Sequence, residues 1–252
     1  MNNEHDSEIT HFGYERVATG EKAQRVRTVF DSVAPNYDLM NDLMSLGAHR
    51  LWKRFALAKT GLCPGQRALD VAGGTGDLVA GLVRQVGPTG QVFLTDINAE
   101  MLARGRDRLM DRGCQVALSV VQADAENLPF CSESFHCITI AFGLRNVTNK
   151  RRALASMARL IKPGGRILIL EFSQPTLKFL RPVYDAYSFN VLPALGKLVA
   201  GNSASYRYLA ESIRMHPDQD AMLSILKSAG LEGSHYYNLS GGIVALHVAY
   251  KY

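Results

Sequence analysis

Three acidic residues stand at the ends of apolar runs, and each suits a different polar feature of a single ligand. Asp70 comes just ahead of a glycine-rich turn, Ala72-Gly73-Gly74-Thr75-Gly76. Glycines at a strand-to-helix turn let backbone approach a ligand closely, and the helix N-terminus behind them favours negative charge. A carboxylate in front of that turn would repel a diphosphate, so it suits a cationic ligand better. Asp96 ends the next apolar run, 20 positions beyond Gly76, where a carboxylate accepts both hydroxyl hydrogens of a ribose. Asp124, within Gln122-Ala123-Asp124-Ala125, suits an adenine amino group, while a neighbouring backbone N–H serves a ring nitrogen. Any one of these acids alone reads as a helix cap or a loop carboxylate. At three successive strand ends they read as a binding site, because ligands of open α/β sheets bind there.

Two phosphate-binding patterns are excluded. A dinucleotide fingerprint counted from Gly74 and Gly76 meets Val79 where its third glycine belongs. A Walker motif fails because Gly196-Lys197 is followed by Leu198, with Val191 in place of the leading glycine.

The elements that position the acids follow from periodicity. From Glu21 to Lys59 the pattern is helical, with Val26, Val29, Phe30 and Val33 at helical spacing, an interruption at Pro35, and a second helix carrying Leu51, Phe55 and Leu57. Beyond Pro64-Gly65 short apolar strands alternate with helices, which predicts a parallel sheet covered on both faces. The expected strands are 68–72, 91–95, 116–121, 137–141 and 166–172. The helices between them carry Leu78, Leu82 and Val86, then Met101, Leu102 and Leu109 behind an Asn98 N-cap, then Leu154, Met157, Leu160 and Ile161 up to Pro163-Gly164-Gly165. A long connection from Ser173 to Met215, with Tyr184, Tyr187, Tyr206 and Tyr208, suggests a functional insertion. A helix near 218–229, stopped by Gly230, precedes two strands around 238–242 that form an antiparallel hairpin. The fold class is therefore α/β: a Rossmann-like, seven-stranded, mostly parallel sheet with an antiparallel C-terminal hairpin, an N-terminal helical extension and a helical insertion after strand five. Residues 1–20 read as a mobile polar tail and 21–252 as one domain, with 21–60 a helical cap and 173–215 lid-like.

Composition narrows the classes further. The 252 residues hold 28 Lys+Arg and 23 Asp+Glu, a net charge of +5, with 47% hydrophobic and 20% charged residues. Those values are ordinary for a globular domain and argue against disorder or a fibrous repeat. The stretch nearest to a membrane span, 183–200, carries Asp185, Asn190 and Lys197. The polar N-terminus lacks a signal-peptide pattern, so a cytoplasmic address is expected. Cys63, Cys114, Cys131 and Cys137 form no C-x-x-C pair and read as buried reduced thiols, and no metal is expected. From Arg145 to Arg166 seven basic residues occur with no acid, a candidate face for an anionic surface or else a solvated helix face. Basic residues are otherwise interleaved with acids, so no nucleic-acid partner is expected.

At the glycine turn and its acids the chain resembles the S-adenosylmethionine-dependent methyltransferases of the seven-stranded class. Further segments narrow the likeness: Tyr37-Asp38-Leu39-Met40-Asn41-Asp42 through His49-Arg50-Leu51-Trp52-Lys53, then Phe142-Gly143-Leu144-Arg145-Asn146-Val147. Arg159-Leu160-Ile161-Lys162-Pro163-Gly164-Gly165-Arg166 through Glu171-Phe172-Ser173, and Tyr206-Arg207-Tyr208-Leu209-Ala210-Glu211-Ser212-Ile213, agree with them. With these the chain resembles the ubiquinone/menaquinone biosynthesis C-methyltransferases over nearly its whole length. The resemblance implies S-adenosyl-L-methionine as cofactor, with contacts at Thr75, Asp96, Asp124 and Ala125 beside Asp70, Gly73, Gly74 and Gly76. Ala141 stands where the family often has serine, so no contact is carried over there.

The reaction that the resemblance implies is methylation of a ring carbon of a prenylated hydroquinone. An aromatic carbon is a poor nucleophile until a neighbouring phenol ionises, and free phenols ionise near pH 10. Arg145 is the candidate to favour the phenolate and Asn146 to orient a water, which makes them the candidate catalytic residues. Tyr37, Tyr184 and Tyr187 are candidates to line the acceptor pocket. The expected partners are the prenylated quinol and, peripherally, the inner face of a membrane, with a homo-oligomer or a quinone-synthesis assembly left open. The competing readings are a nicotinamide oxidoreductase, a nucleic-acid methyltransferase, a methyltransferase of another small aromatic, and a non-catalytic adenosine-cofactor-binding component of a quinone-synthesis assembly.

Overall fold

A computed structural model describes residues 9–33, 41–42, 45–176, 182, 186 and 203–252. Strands β1 (Ile9–Phe12) and β2 (Glu15–Ala18) pair antiparallel around Gly13, whose φ of 59° closes the turn. This hairpin stands at residues 9–18 of the expected polar tail, whose first eight residues lie outside the described ones. Its short alternation, with Val17 buried, is covered by the next helix, so a polar composition still gives a packed element. Helix α1 (Thr19–Val33) follows, and α2 (His49–Lys59) buries His49, Trp52 and Ala56 while Leu51 stays exposed.

The main sheet begins with β3 (Arg67–Val71) and continues through α3 (Val79–Val86), β4 (Gln91–Asp96), α4 (Ala99–Asp111), β5 (Leu118–Gln122), β6 (Phe135–Ala141), α5 (Lys150–Leu160) and β7 (Ile161–Phe172). After α6 (Ser203–Arg214) and α7 (Gln219–Ser228), β8 (Glu232–Leu239) and β9 (Val244–Tyr250) end the chain. The seven strands lie in the order β5-β4-β3-β6-β7-β9-β8, parallel from β5 to β7, with β9 antiparallel to both neighbours. The order reverses between β3 and β6, so the crevice for a ligand opens at their C-terminal ends.

Burial explains why the central strands are apolar runs. Leu69, Ile138 and Ile169 are fully buried, as strands covered on both faces require, and α3 closes one face with Val79, Leu82 and Val86. Two boundaries differ from the periodicity. Gln115–Ala117 forms a 3₁₀ turn before β5, because Val116 is exposed and has no sheet face to fill. Strand β7 starts directly at Ile161, since Gly164 N donates to Lys251 O and Lys251 N to Gly165 O, which extends pairing across the proline and glycines. Cys114 and Cys137 are buried free thiols, whereas Cys63 and Cys131 are exposed.

The seven basic residues from 145 to 166 do not make one face. Arg145 is buried, Arg159 donates to the Leu128 and Phe130 carbonyls, Arg166 donates to Lys59 O and lies over the Tyr250 ring, and Arg151 donates to Ser228. These guanidiniums satisfy carbonyls and hydroxyls at loop ends, a use that charge counting along the sequence does not reveal.

Asn98 joins the two parts of the fold. Its Oδ1 caps α4 by accepting from Met101 N at 3.0 Å, and its Nδ2 donates to Asp31 of α1 at 2.7 Å. We therefore expect Asn98→Ala to lower unfolding free energy by about 1–2 kcal/mol, the usual value of an N-cap, in urea titrations. Asn98→Asp keeps the cap but sets a carboxylate against Asp31, so it should also fall below the parent protein; parental stability in both variants would remove the bridge from the account.

Candidate active site

The site is built on the ends of β3, β4 and β6. Register sets Asp70 beside Thr139, and the Thr139 hydroxyl donates to Asp70 Oδ1 at 2.6 Å. Thr95 Oγ1 donates to the Asp70 carbonyl, and Gly73 N donates to Thr95 O, so the glycine turn is tied to β4 as well. Gly74, with φ 53°, turns its N–H onto Asp96 Oδ2 at 3.0 Å, while Asn98 N donates to Asp96 Oδ1 at 2.9 Å. Helix α4 can sit this close only because of Gly105, where a Cβ would lie 2.5 Å from Gly74 O. Ala72 and Phe142 adopt φ of 50° and 57° at the ends of β3 and β6. Two strained non-glycine residues side by side mark the place where the sheet gives way to the site.

Two adjoining spaces result. The larger, of about 860 Å³, is lined by Gly74, Asp96, Asp124, Ala125, Gly143 and Asn146 among others, with Val26 and Phe30 of α1 as a roof. Asp124 N-caps the 3₁₀ turn Ala125–Asn127 through Oδ1, on Glu126 N, and is exposed. The smaller, of about 300 Å³, is lined by Asp70, Gly73, Thr75, Asp77 and Lys53, and shares Ala72 with the first. Of the expected contacts, Gly76 lines neither space; its φ of 76° lets the turn pass Leu109. Tyr37, Tyr184 and Tyr187 lie outside the described residues.

Electrostatics divide the two spaces. Burial pushes the Asp70 carboxyl up to about 7 against the pull of the Thr139 hydroxyl and of Lys53. Burial also raises Asp96, offset in part by the N–H groups of Asn98, Gly74 and Ile97. Asp77 behaves oppositely: despite its burial, Lys53 at 2.6 Å and Arg108 at 3.0 Å hold its carboxyl below the usual range. Lys53 is thus held by Asp77 close to Asp70, and the smaller space is lined by two carboxylates and one ammonium. The buried Asp70 fits the ammonium of an amino acid, and the pair of Asp96 oxygens fits a ribose. The residues present accordingly suit S-adenosylmethionine. Sequence reasoning reached Asp70 but not Lys53, because nothing in a helical stretch marks which lysine faces a sheet end.

Arg145 is not in the wall of either space. The 3₁₀ turn Leu144–Asn146 places it behind, 6% exposed, where Nη1 donates to Glu171 Oε1 at 2.8 Å and to the Phe142 carbonyl. Glu171 Oε2 accepts from Arg145 N at 3.1 Å, and Glu171 Oε1 also accepts from Phe172 N. The arginine expected to face the acceptor is therefore ion-paired, with Nε the orphan donor of the group. Asn146 is the member of the pair that reaches the larger space. Glu171 was quoted in the sequence pattern without a role; its partner became visible only through the register of β7 beside β6.

A buried carboxyl whose pKa is raised on folding lowers stability once pH exceeds its unfolded value, and the loss is complete above its folded value. For Asp70 that window runs from about 4 to about 7. Asp70→Asn should therefore be more stable than the parent at pH 8, by on the order of 4 kcal/mol, and the gap should close toward pH 4. Thermal melts across that range check it; a gap independent of pH would contradict the burial argument.

Comparison with known proteins agrees with this geometry. The profile of the ubiE/COQ5 methyltransferase family matches residues 18–251. The ubiquinone/menaquinone biosynthesis C-methyltransferase UbiE of Legionella pneumophila (strain Philadelphia 1) is 58% identical over 245 residues, 97% of this chain and 98% of that protein. The protein of the same name from Pseudomonas aeruginosa (strain LESB58) is 59% identical over 242 residues, 96% and 94% of the two chains. A SAM-dependent methyltransferase from Aquifex aeolicus shares the fold, with a TM-score of 0.61 at 18% identity over 84% of this chain and 96% of that one. So does a Haemonchus contortus phosphoethanolamine N-methyltransferase solved with S-adenosylhomocysteine, with a TM-score of 0.58 at 15% identity over 79% and 52%. Matched by the family profile over residues 18–251 and by relatives at 58% and 59% identity over nearly its full length, the chain belongs to the ubiE/COQ5 methyltransferase family.

Proposed function

We propose that this chain methylates a ring carbon of a prenylated hydroquinone in ubiquinone and menaquinone biosynthesis, the role named for its relatives at 58% and 59% identity. The observation within the molecule that supports the reading is the pairing of a cofactor-shaped cleft with a neutral amide at its wall, Asn146, backed by a fixed guanidinium, Arg145. S-adenosylmethionine supplies a methyl group on a sulfonium, transferable to a carbon nucleophile. Asp96 would hold the ribose hydroxyls, Asp124 and Ala125 the adenine, Thr75 and Gly73 the chain between, and Asp70, with Lys53 held nearby by Asp77, the amino-acid end. Asp70 binds a cation only when ionised, and the incoming charge favours ionisation.

For the acceptor, the chain must make a phenolate out of a phenol. Asn146 offers an amide hydrogen to the ring oxygen, and Arg145 sets a positive charge behind it, weakened by Glu171. Water would take the phenol proton, and the electron pair fed into the ring would make its carbon the nucleophile for the methyl group that the cofactor would supply; the ring hydrogen would then leave to water and a proton return to the oxygen. Alignment of acceptor and donor by the cleft contributes most of the acceleration, about 7–11 kcal/mol in oriented reactions.

Peripheral contact with a membrane belongs to the same reading because a prenyl tail partitions into lipid. Its support does not include the 145–166 segment as one basic face, because Arg145, Arg159 and Arg166 are turned to Glu171 and to carbonyls. Among the described residues no helix is long and apolar enough to cross a membrane.

The test is incubation of the protein with methyl-labelled S-adenosylmethionine and a demethylated prenylated hydroquinone held in vesicles. Label on a ring carbon, with protein recovered in the vesicle pellet, is expected; label on oxygen, or binding of the cofactor without any transfer, would favour another aromatic substrate or a non-catalytic role.

A further inference from the structure

Asn146 has two chemically opposite ends, and which end faces the cleft decides what it can do. The Tyr208 hydroxyl of α6 donates to Asn146 Oδ1 at 3.1 Å, across 62 residues of sequence. Tyr208 is 4% exposed, and burial pushes its phenol well above the usual tyrosine range, against the pull of Arg145. With the hydroxyl donating to it, Oδ1 is engaged and the Nδ2 hydrogens are left for the cleft. Asn146 Nδ2 takes no partner among the described residues.

The other side of Tyr208 is also held. Its ring stacks on Phe12 of β1 with centroids 4.1 Å apart and planes 15° from parallel, and the Arg25 guanidinium lies 5.6 Å from the Phe12 ring centroid. The hairpin is tied to the same helix again, because Tyr14 N donates to Glu211 Oε2 at 3.2 Å. A line of contact thus runs from the N-terminal hairpin through Phe12 and Tyr208 to Asn146 and into the cleft.

We propose that Tyr208 is a positioning residue for methyl transfer: it fixes the Asn146 amide as a hydrogen-bond donor toward the acceptor's ring oxygen, and the N-terminal hairpin holds it there. The proposal rests on the assignment of the cleft to methyl transfer. It gives the hairpin a purpose beyond stability, and it replaces a water-orienting Asn146 with one that donates directly. Free rotation of the amide would present oxygen to the acceptor half of the time, and a carbonyl oxygen repels a phenolate.

Single-turnover methyl transfer from S-adenosylmethionine to a short-tailed prenylated hydroquinone tests this with Tyr208→Phe, Asn146→Ala and the double variant. Tyr208→Phe keeps the stack on Phe12 and loses only the hydroxyl. It should slow transfer by about 10-fold, with the cofactor's Kd and the melting temperature unchanged. Because the hydroxyl acts through Asn146, the double variant should be no slower than Asn146→Ala. Phe12→Ala, which keeps the hydroxyl and loosens the ring, should slow transfer by a smaller factor and provides a second reading if Tyr208→Phe folds poorly. A parental rate in Tyr208→Phe, or losses that multiply in the double variant, overturns the role of Tyr208 alone. A parental rate in Asn146→Ala overturns the assignment of Asn146 in the proposed reaction together with it.

Discussion

A carboxylate and a guanidinium removed from water at the end of two parallel strands organise one wall of the site. Glu171 ends β7, Arg145 follows β6, and both oxygens of Glu171 are spent on Arg145 and on backbone N–H groups. Breaking such a pair by removing one partner leaves a buried charge and costs about 3–5 kcal/mol, whereas a neutral pair of similar shape is often tolerated. The turn 142–147 inherits its shape from this lock. Phe142 at a positive φ, Gly143 with Ala72 against it, and Asn146 facing the cleft all follow from where Arg145 is held. From the other side Trp52 of α2 braces the same corner, within 6.2 Å of both Phe142 and Phe172, with its Nε1 bonded to Ser240.

Around that corner the chain keeps charge where ordinary folding would remove it. Asp70 is buried beside Thr139 with a pKa raised to about 7, a destabilising placement once the carboxyl ionises. Asp96 is spared part of that penalty by the N–H groups of Gly74 and Asn98. Asp70 lines the smaller space and Asp96 the larger, whose roof is α1. The roof is fastened by Asn98 to Asp31 and by Lys22, whose ammonium is buried 3.4 Å from Val147 O. Burial pulls that ammonium down to about 8.

What the sequence reveals and what it hides divides along physical lines. Apolar runs buried on both faces, such as 137–141 and 166–172, announce parallel strands, and acids at their ends announce a site, because both signals are local. The Asn98 cap is local too and appears as expected. Pairings between residues far apart in sequence leave no such trace: Arg145 with Glu171, Tyr208 with Asn146, Phe12 with Tyr208. The seven basic residues of 145–166 resemble an anionic-surface patch only while their directions are unknown; in the fold most of them cap carbonyls or pair within the protein. The polar segment 9–18 lacks the apolar density of a core strand, yet two edge strands covered by one helix need only Val17 and Phe12 to hold them.

Whether Arg145 contributes charge to the reaction or serves only to hold the turn is the central question, and its direct measurement is single-turnover transfer by Arg145→Met/Glu171→Gln. That variant keeps roughly the volume of the pair and an acceptor oxygen for one of the two backbone N–H groups while removing both charges. The account predicts a folded protein with cofactor affinity close to the parent's and methyl transfer slowed by at least about 10-fold, the low end for loss of one transition-state charge stabiliser because Glu171 already offsets it. Transfer at the parental rate by the folded variant would contradict it and leave Arg145 a structural residue.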